Sequence, residues 1–173
     1  MEKITLKLYD FLNLEADING VLDQRTGQRV RKGLLQHPLP MGVKYWITKL
    51  AKTVGEEKTI IDGLKDELVK KYGTEKDGSI TVVTLIDELD DKGKNVKINV
   101  KNQDGEMVEI NKQIINPQYA AFEKDYTEIL QQEKELEYRP ILLSELATHD
   151  QPNGIETEET YDAFFKLVTS PGE

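Results

Sequence analysis

The stretch PLPMGVKYWITKLAKTVGEEKTIIDGLKDELVKKYG, residues 38–73, dominates the predicted fold. Its apolar residues recur at steps of three and four, broken only at Glu57, and this spacing marks one face of an α-helix. Gly73, which follows two lysines and a tyrosine, is typical of a helix C-terminus. The pattern therefore predicts an amphipathic helix over residues 40–72, roughly 50 Å long at 1.5 Å per residue. Its apolar positions are Val43, Ile47, Leu50, Val54, Ile61, Leu64 and Leu68.

This apolar stripe is longer than a second helix of half the length can cover. Either the sheet of the same chain or a second copy of the protein has to shield the rest, and the length favours a second copy. We therefore expect a homo-oligomer. Tyr45 and Trp46 are adjacent near the start of the helix and point about 100° apart, so one of them can face a partner while the other joins the core.

The remaining segments predict strands and three shorter helices. Residues 1–39 contain a strand, a short helix and a basic loop, and residues 79–111 contain β-branched runs typical of an antiparallel meander. Asn116-Pro117 starts a helix over residues 116–133, and residues 135–169 indicate a strand followed by a short helix beginning near Thr157. The predicted fold class is α+β, with the long helix packed antiparallel to the shorter helix and a small antiparallel β-sheet, in one domain of 173 residues.

The composition restricts the chemistry of the protein. The chain contains no cysteine and two histidines, which excludes disulfides, thiolate catalysis and zinc sites built on cysteine. It carries 23 Lys and Arg against 32 Asp and Glu, a formal charge of −9. The first 55 residues nevertheless hold nine basic and five acidic side chains, so their net charge is positive. The net negative charge of the chain comes from the remaining residues.

Four cations fall within eight residues that contain no acid: Arg25, Arg29, Arg31 and Lys32. Such a loop can bind phosphates, carboxylates or an acidic partner, or it can fold onto the acidic part of its own chain. Four charges are a small footprint for a nucleic-acid surface, and the loop has no aromatic side chain on which a base could stack. We therefore place these residues, together with Tyr45 and Trp46, in a partner-binding surface and do not expect direct nucleic-acid binding.

Catalytic candidates are few. His37, Ser144, His149 and Asp150 stand in no nucleophile elbow, and the glycine spacing matches neither a phosphate-binding loop nor a dinucleotide fingerprint. The acidic run over residues 87–91 lacks the spacing and the closing glutamate of a calcium loop, and it is typical of a solvated turn. We therefore expect a protein that is not an enzyme and that has no catalytic residue, no metal site and no cofactor.

The first residues do not have the pattern expected of a signal peptide. Charges at Glu2, Lys3, Lys7 and Asp10 interrupt the first residues, and no run of eighteen apolar residues occurs. These features predict neither a signal peptide nor a membrane span. The absence of cysteine pairs agrees with a reducing interior, so we expect a cytoplasmic protein.

Three sequence patterns resemble a known group of proteins. They are Lys44-Tyr45-x-x-x-Lys49-Leu50, Glu67-Leu68-x-x-Lys71-Tyr72-Gly73 and the late segment ILLSELA at residues 141–147. Over roughly residues 39–146 the chain resembles small proteins of unknown function encoded by tailed bacteriophages and prophages. The resemblance implies non-enzymatic work in a phage setting, through contacts with other phage or host proteins.

Two hypotheses follow from this resemblance. The first is a phage structural or virion-assembly protein that acts through protein–protein contacts, in the host cytoplasm or in the virion. The alternative is an acidic inhibitor or adaptor that binds a host defence or nucleic-acid-processing factor. Salt separates the two, because binding driven by charge weakens with ionic strength and apolar packing does not.

Overall fold

The structure is a computed structural model that describes residues 1–146 and 161–169. It confirms the α+β class, with one long helix, shorter helices and small sheets. The helices are α1 (Leu8–Asn19), α2 (Met41–Tyr72), α3 (Pro117–Leu130) and α4 (Asp162–Phe165), with short 3₁₀ helices at Leu34–Gln36 and Leu143–Leu146. The strands are β1 (Glu2–Lys7), β2 (Val21–Leu22), β3 (Arg29–Arg31), β4 (Thr74–Lys76), β5 (Ser79–Thr81), β6 (Leu85–Asp87), β7 (Lys97–Lys101), β8 (Met107–Asn111), β9 (Gln113–Ile115), β10 (Glu133–Tyr138), β11 (Ile141–Leu142) and β12 (Val168–Thr169).

The chain divides into two compact units, Met1–Gly63 with Ile129–Glu173, here called the core unit, and Leu64–Glu128, here called the ribbon unit. Helix α2 supplies residues 41–63 to the core unit and residues 64–72 to the ribbon unit. The predicted bounds of this helix, 40–72, differ from the observed ones by a single residue. The strong three- and four-residue period explains this accuracy.

The core unit is built around the first part of the α2 stripe. Strand β1 pairs antiparallel with β10, with Ile4 opposite Leu136, and α1 follows β1 directly. The side chain of Asp10 accepts a hydrogen bond from the backbone N–H of Lys7 at 3.2 Å, which caps the start of α1. One apolar cluster then joins α1, α2 and β10, and its buried members include Phe11, Leu14, Ile18, Val43, Ile47, Leu50, Val54 and Leu136.

This packing changes the interpretation of the stripe. Val43, Ile47, Leu50 and Val54 are buried within one copy of the chain, whereas Leu64 is exposed. A second copy is therefore not needed to cover the first part of α2. Substitutions there would test the core of one copy rather than an oligomer interface.

The C-terminal segment completes the core unit. Tyr161, Phe164 and Leu167 are buried in the same apolar cluster, and strand β12 pairs with β11 in parallel. The backbone N–H of Phe164 donates to the side chain of Asp17 at 3.1 Å, and Lys166 pairs with Asp10 at 3.1 Å. Within the described residues the last helix is the single turn α4, and its predicted start near Thr157 lies outside them.

The sheets differ from the predicted meander over residues 79–111. Six two-stranded sheets are present in the described part of the chain: β1–β10, β2–β3, β4–β5, β6–β9 and β7–β8 are antiparallel, and β11–β12 is parallel. Asp77-Gly78 has positive φ at both positions and closes the β4–β5 hairpin, as expected for a two-residue Asp-Gly turn. Strand β6 then pairs with β9 rather than with β7, because β7 is already joined to β8.

Helices α2 and α3 meet in the ribbon unit through polar and aromatic contacts. The Tyr72 hydroxyl donates to Asp125 at 2.6 Å, Lys71 pairs with the same carboxylate at 3.0 Å, and the Lys65 ammonium lies 5.6 Å from the centre of the Tyr126 ring. The Tyr72 hydroxyl and then Lys71 hold the pKa of Asp125 below its usual value. The predicted contact between the long and the shorter helix is therefore made without a buried apolar core.

The neighbouring residues Phe164 and Phe165 test how the C-terminal segment stabilises the core unit. Phe164 is fully buried and Phe165 is half-buried. We expect Phe164→Ala to lower the free energy of unfolding by about 3–5 kcal/mol, because it removes a large buried side chain and leaves a cavity. Phe165→Ala is the matched control and should cost clearly less in the same urea titration. Equal losses would show that the segment is not docked in the described way.

Candidate functional site

The predicted basic loop is a β-hairpin in the structure. Strand β2 pairs with β3, and the side chain of Asp23 closes the turn by accepting the N–H groups of Arg25 and Thr26, both at 2.8 Å. Gly27 has φ of 68°, which an L-residue rarely adopts. Asp23 forms an Asx turn, and Gly27 follows it at the end of the turn. An Asp followed by a Gly at this spacing is the feature of the sequence that indicates the hairpin.

The four cations of this hairpin have different surroundings. Arg25, Arg29 and Lys32 are exposed. Arg31 instead reaches the buried carboxylate of Asp17, with 2.9 Å between Nη2 and Oδ1. Its guanidinium also lies 5.8 Å from the centre of the Tyr161 ring. The basic segment was expected either to bind an anionic partner or to fold onto acidic residues of its own chain. The second alternative holds for Arg31, so Arg31 does not belong to an open cationic surface.

Arg31 and Arg29 form a matched pair for testing this role. Arg31→Met leaves the Asp17 carboxylate buried without its cation, so we expect a loss of about 2 kcal/mol in the free energy of unfolding. Arg29→Met removes the same charge from an exposed position on the same strand and should change stability by no more than about 0.5 kcal/mol. Chemical denaturation of both variants would measure the difference. A larger loss for Arg29→Met would contradict the assignment.

His37 joins the same end of the core unit. Its Nε2 atom lies 2.8 Å from the Tyr161 hydroxyl, which also donates to the backbone carbonyl of Lys32 at 3.0 Å. Burial lowers the pKa of His37, and the nearby Lys32 cation lowers it further. Ser144 is exposed, and His149 and Asp150 lie outside the described residues. The described contacts of His37 thus connect it to the C-terminal segment and not to a nucleophile.

The lowered pKa of His37 predicts a pH-dependent stability. The unfolded chain takes up the proton near the ordinary value of 6.5, before the folded chain does. The contribution of neutral His37 is therefore complete above that pH and is lost as the pH falls through it towards the folded pKa. Between about pH 7.5 and 5.5 the free energy of unfolding should fall more steeply for the native chain than for His37→Gln. Parallel curves would contradict this.

Trp46 lines a surface pocket of the core unit. Its ring meets Tyr45 edge-on at 5.3 Å, and the Lys49 ammonium lies 5.0 Å from its centre. Tyr45 is exposed and Trp46 is half-buried, so Trp46 is not a fully buried core residue. The pocket has a volume of about 350 Å³, with Leu50, Tyr138 and Ile141 among its apolar lining.

The charges around this pocket are mixed. Arg139 lies 5.7 Å from the Trp46 ring centre and forms a two-pronged ion pair with Glu145, at 2.8 and 3.3 Å. Glu145 also accepts the N–H of Leu142 at 2.9 Å. Arg139, followed by the Leu142 N–H, lowers the pKa of Glu145. Lys49 and Lys52 face Glu56 and Glu137 around the same opening, so no single sign of charge selects a ligand.

The ribbon unit presents a different kind of surface. None of its residues, 64–128, is buried, although all of them are described. Large apolar side chains are instead exposed on its strands, on its turns and on the last part of α2. Their relative solvent-accessible areas are 36% to 63%. They are Leu64, Ile80, Val83, Leu85, Ile86, Leu89, Ile98, Met107, Ile110, Ile114 and Ile115.

Six aliphatic side chains share one face of this unit, here called the ribbon face. In β7–β8, Ile98 lies opposite Ile110 and Val100 opposite Val108, and in β6–β9, Ile86 lies opposite Ile114. Side chains alternate along a strand, so within residues 107–115 the positions 108, 110, 112 and 114 point to one side. The ribbon face therefore consists of Ile86, Ile98, Val100, Val108, Ile110 and Ile114.

Three backbone hydrogen bonds join the two strand pairs of the ribbon face. The N–H of Glu88 donates to Lys112, that of Lys112 donates to Val96, and that of Val96 donates to Glu88, each at 2.8 Å. The side chains of Lys112 and Glu88 form an ion pair at the same place. These bonds join the two strand pairs at the point where β8 ends and β9 begins.

The acidic run at residues 87–91 is occupied by local hydrogen bonds. Asp90 accepts the N–H groups of Lys92 and Lys94, at 2.8 and 2.9 Å, and Asp87 accepts from the Asn111 side chain at 2.7 Å. This arrangement agrees with the expected turn. Throughout residues 1–146 and 161–169, no group of three histidine or acidic side chains is placed to hold a metal ion.

Comparisons with known proteins add no assignment. No protein-family model matches the chain, and no curated protein and no solved structure is significantly similar to it. No helix in the described part of the chain has the length and apolar character needed to cross a membrane.

The residues of the ribbon face are not among those predicted from the sequence, which were charged and aromatic. The available signal was the alternation of Val108, Ile110 and Ile114 with polar residues, together with Ile98 and Val100. That alternation predicts an apolar strand face but says nothing about whether the chain covers it.

Proposed function

We propose that this protein is a non-enzymatic, phage-encoded structural or virion-assembly protein that acts as an oligomer through protein–protein contacts. The observation that carries the proposal is the ribbon unit, which buries none of its side chains and exposes eleven large apolar ones. Monomeric proteins seldom expose large contiguous apolar patches, and the ribbon face groups six aliphatic side chains of this unit on one side.

The stability of the ribbon unit supports the same proposal. An isolated two-stranded hairpin is marginally stable in water, and three or more strands or a packed helix are normally required. The strands from β4 to β9 make their main contacts with their own ladder partners. Covering the exposed part of one Ile or Leu contributes about 1 kcal/mol, so several such side chains can stabilise an assembly.

The setting of the proposal comes from the resemblance to proteins of tailed phages and prophages. An assembly protein of this kind works in the host cytoplasm and either remains in the virion or leaves after assembly. Its partners are copies of itself and other phage proteins. The alternative, an inhibitor or adaptor that binds a host factor through charge, loses one of its four proposed cations because Arg31 is engaged with Asp17.

The oligomer can be tested by light scattering of the full chain at micromolar concentration. We expect a mass above that of one chain, and we expect it to persist in molar salt because apolar contacts are not screened. A monomer, or an oligomer that dissociates as salt is added, would contradict the proposal.

The phage setting can be tested by mass spectrometry of the proteins that stay with the tagged chain during phage infection. Recovery of capsid, portal or tail proteins would support a role in assembly. Recovery of one host protein in stoichiometric amount, released by salt, would replace the proposal with the inhibitor or adaptor.

A further inference from the structure

We infer that the ribbon face is closed by the ribbon face of a second copy, so that two ribbons form a two-layer β-sandwich shared between the copies. The inference rests on the proposed oligomer and adds which residues build its interface.

The shape of the ribbon supports a sheet-on-sheet contact. Its six aliphatic side chains lie on one side, while the other side of the same strands is mixed and carries Asp87, Asn99 and Glu109 together with Leu85, Met107 and Ile115. A sheet normally packs its more uniformly apolar face against another apolar layer about 10 Å away. Each ribbon has two strands, so one copy has a single layer of the sandwich and needs a second.

The charges on the ribbon face favour a second copy over another partner. Glu88 and Lys112 continue the β6–β9 register by one pair, so they lie on the same side as Ile86 and Ile114, between the two apolar groups. The two residues form an ion pair. A pair of opposite charges is self-complementary under a two-fold rotation, since the cation of one copy can face the anion of the other. A partner carrying one sign of charge would meet a like charge at this point.

The remaining charge of the ribbon unit is compatible with self-association. Its 65 residues contain ten lysines and fourteen acids, and Lys97 pairs with Glu109 at 3.8 Å on the polar side. Neither sign forms a continuous field that would repel an identical surface. The three backbone bonds among Glu88, Val96 and Lys112 hold the face in one piece before contact is made, which lowers the entropic cost of association.

Ile110→Lys and Met107→Lys form the central test, carried out on the full chain. Both substitutions place a lysine at an exposed apolar position of β8, but Ile110 lies on the ribbon face and Met107 lies on the opposite side. We expect Ile110→Lys to weaken self-association by about 100-fold, because the shared layer would have to bury an unpaired charge. Met107→Lys should leave the dissociation constant nearly unchanged. Sedimentation over a concentration series measures both.

Folding can be followed separately. Trp46 is the only tryptophan of the chain, and it belongs to the core unit, so its fluorescence shows whether that unit is intact in each variant. Should Ile110→Lys fail to fold, Val108→Thr replaces a methyl group by a hydroxyl on the same face and nearly preserves side-chain volume. It should still weaken self-association measurably.

Single cysteines provide an independent measurement because the chain has none of its own. With a reagent that spans about 10 Å, Ile110→Cys should be cross-linked between copies, whereas Met107→Cys should not. Cross-linking through Met107→Cys together with an unaffected Ile110→Lys oligomer would overturn the inference and leave the proposed oligomer standing. A native chain that is monomeric would instead overturn the proposed function. If another protein co-purifies with the native chain but not with Ile110→Lys, that protein covers the ribbon face, and the inference is overturned.

Discussion

Coverage of the apolar stripe on α2 is the constraint on which the core unit depends. Val43, Ile47, Leu50 and Val54 lie on one face of a helix, and no single neighbouring element is broad enough to cover them. The covering layer is assembled from distant parts of the chain: α1, the β1–β10 strand pair and the segment that contains Phe164. This explains why the two ends of the sequence belong to the same unit. It also explains why the buried carboxylate of Asp17 binds both Arg31 and the backbone of Phe164, since one group thereby attaches the hairpin and the C-terminal segment to α1.

The ribbon unit meets the same requirement differently. Its strands are short and several are separated by turns that contain Asp, Asn and Gly, and each strand belongs to a two-stranded sheet. Backbone groups are satisfied in this way, but apolar side chains are not covered. Six aliphatic residues on one side of these strands are therefore left exposed or half-buried. An antiparallel sheet that faces water on one side normally carries polar residues on that side, and this contrast is the basis of the proposed second layer.

The sequence predicted the local features well and the long-range ones poorly. Helix α2 was located within one residue because its period is sustained over many turns. The β7–β8 hairpin lay within the predicted strand region, but the pairing of β6 with β9 joins residues about thirty positions apart and leaves no local pattern. A stripe likewise shows which residues are buried without showing what buries them, and the first part of the α2 stripe is covered by the same chain.

The candidate surface shows the same division. Arg29 and Arg31 stand two residues apart on one strand, and nothing in their types separates them. Their different roles follow from the position of Asp17 on α1, which the hairpin reaches only after folding. Trp46 was predicted to lie in a partner-binding surface, and part of the charge around its pocket comes from Glu137 and Arg139, far along the chain.

An ion pair in the middle of an apolar face carries a cost as well as a benefit. Glu88 and Lys112 would contribute less stability than two aliphatic residues, because their partial desolvation offsets much of their attraction. What such a pair supplies is register. Purely aliphatic ribbons can slide past one another by two residues with little penalty, whereas a displaced pair leaves a charge facing hydrocarbon. If two ribbon faces pack together as we propose, a single alignment of the copies requires such a pair, and this requirement would account for charged residues at a position where packing alone would favour isoleucine.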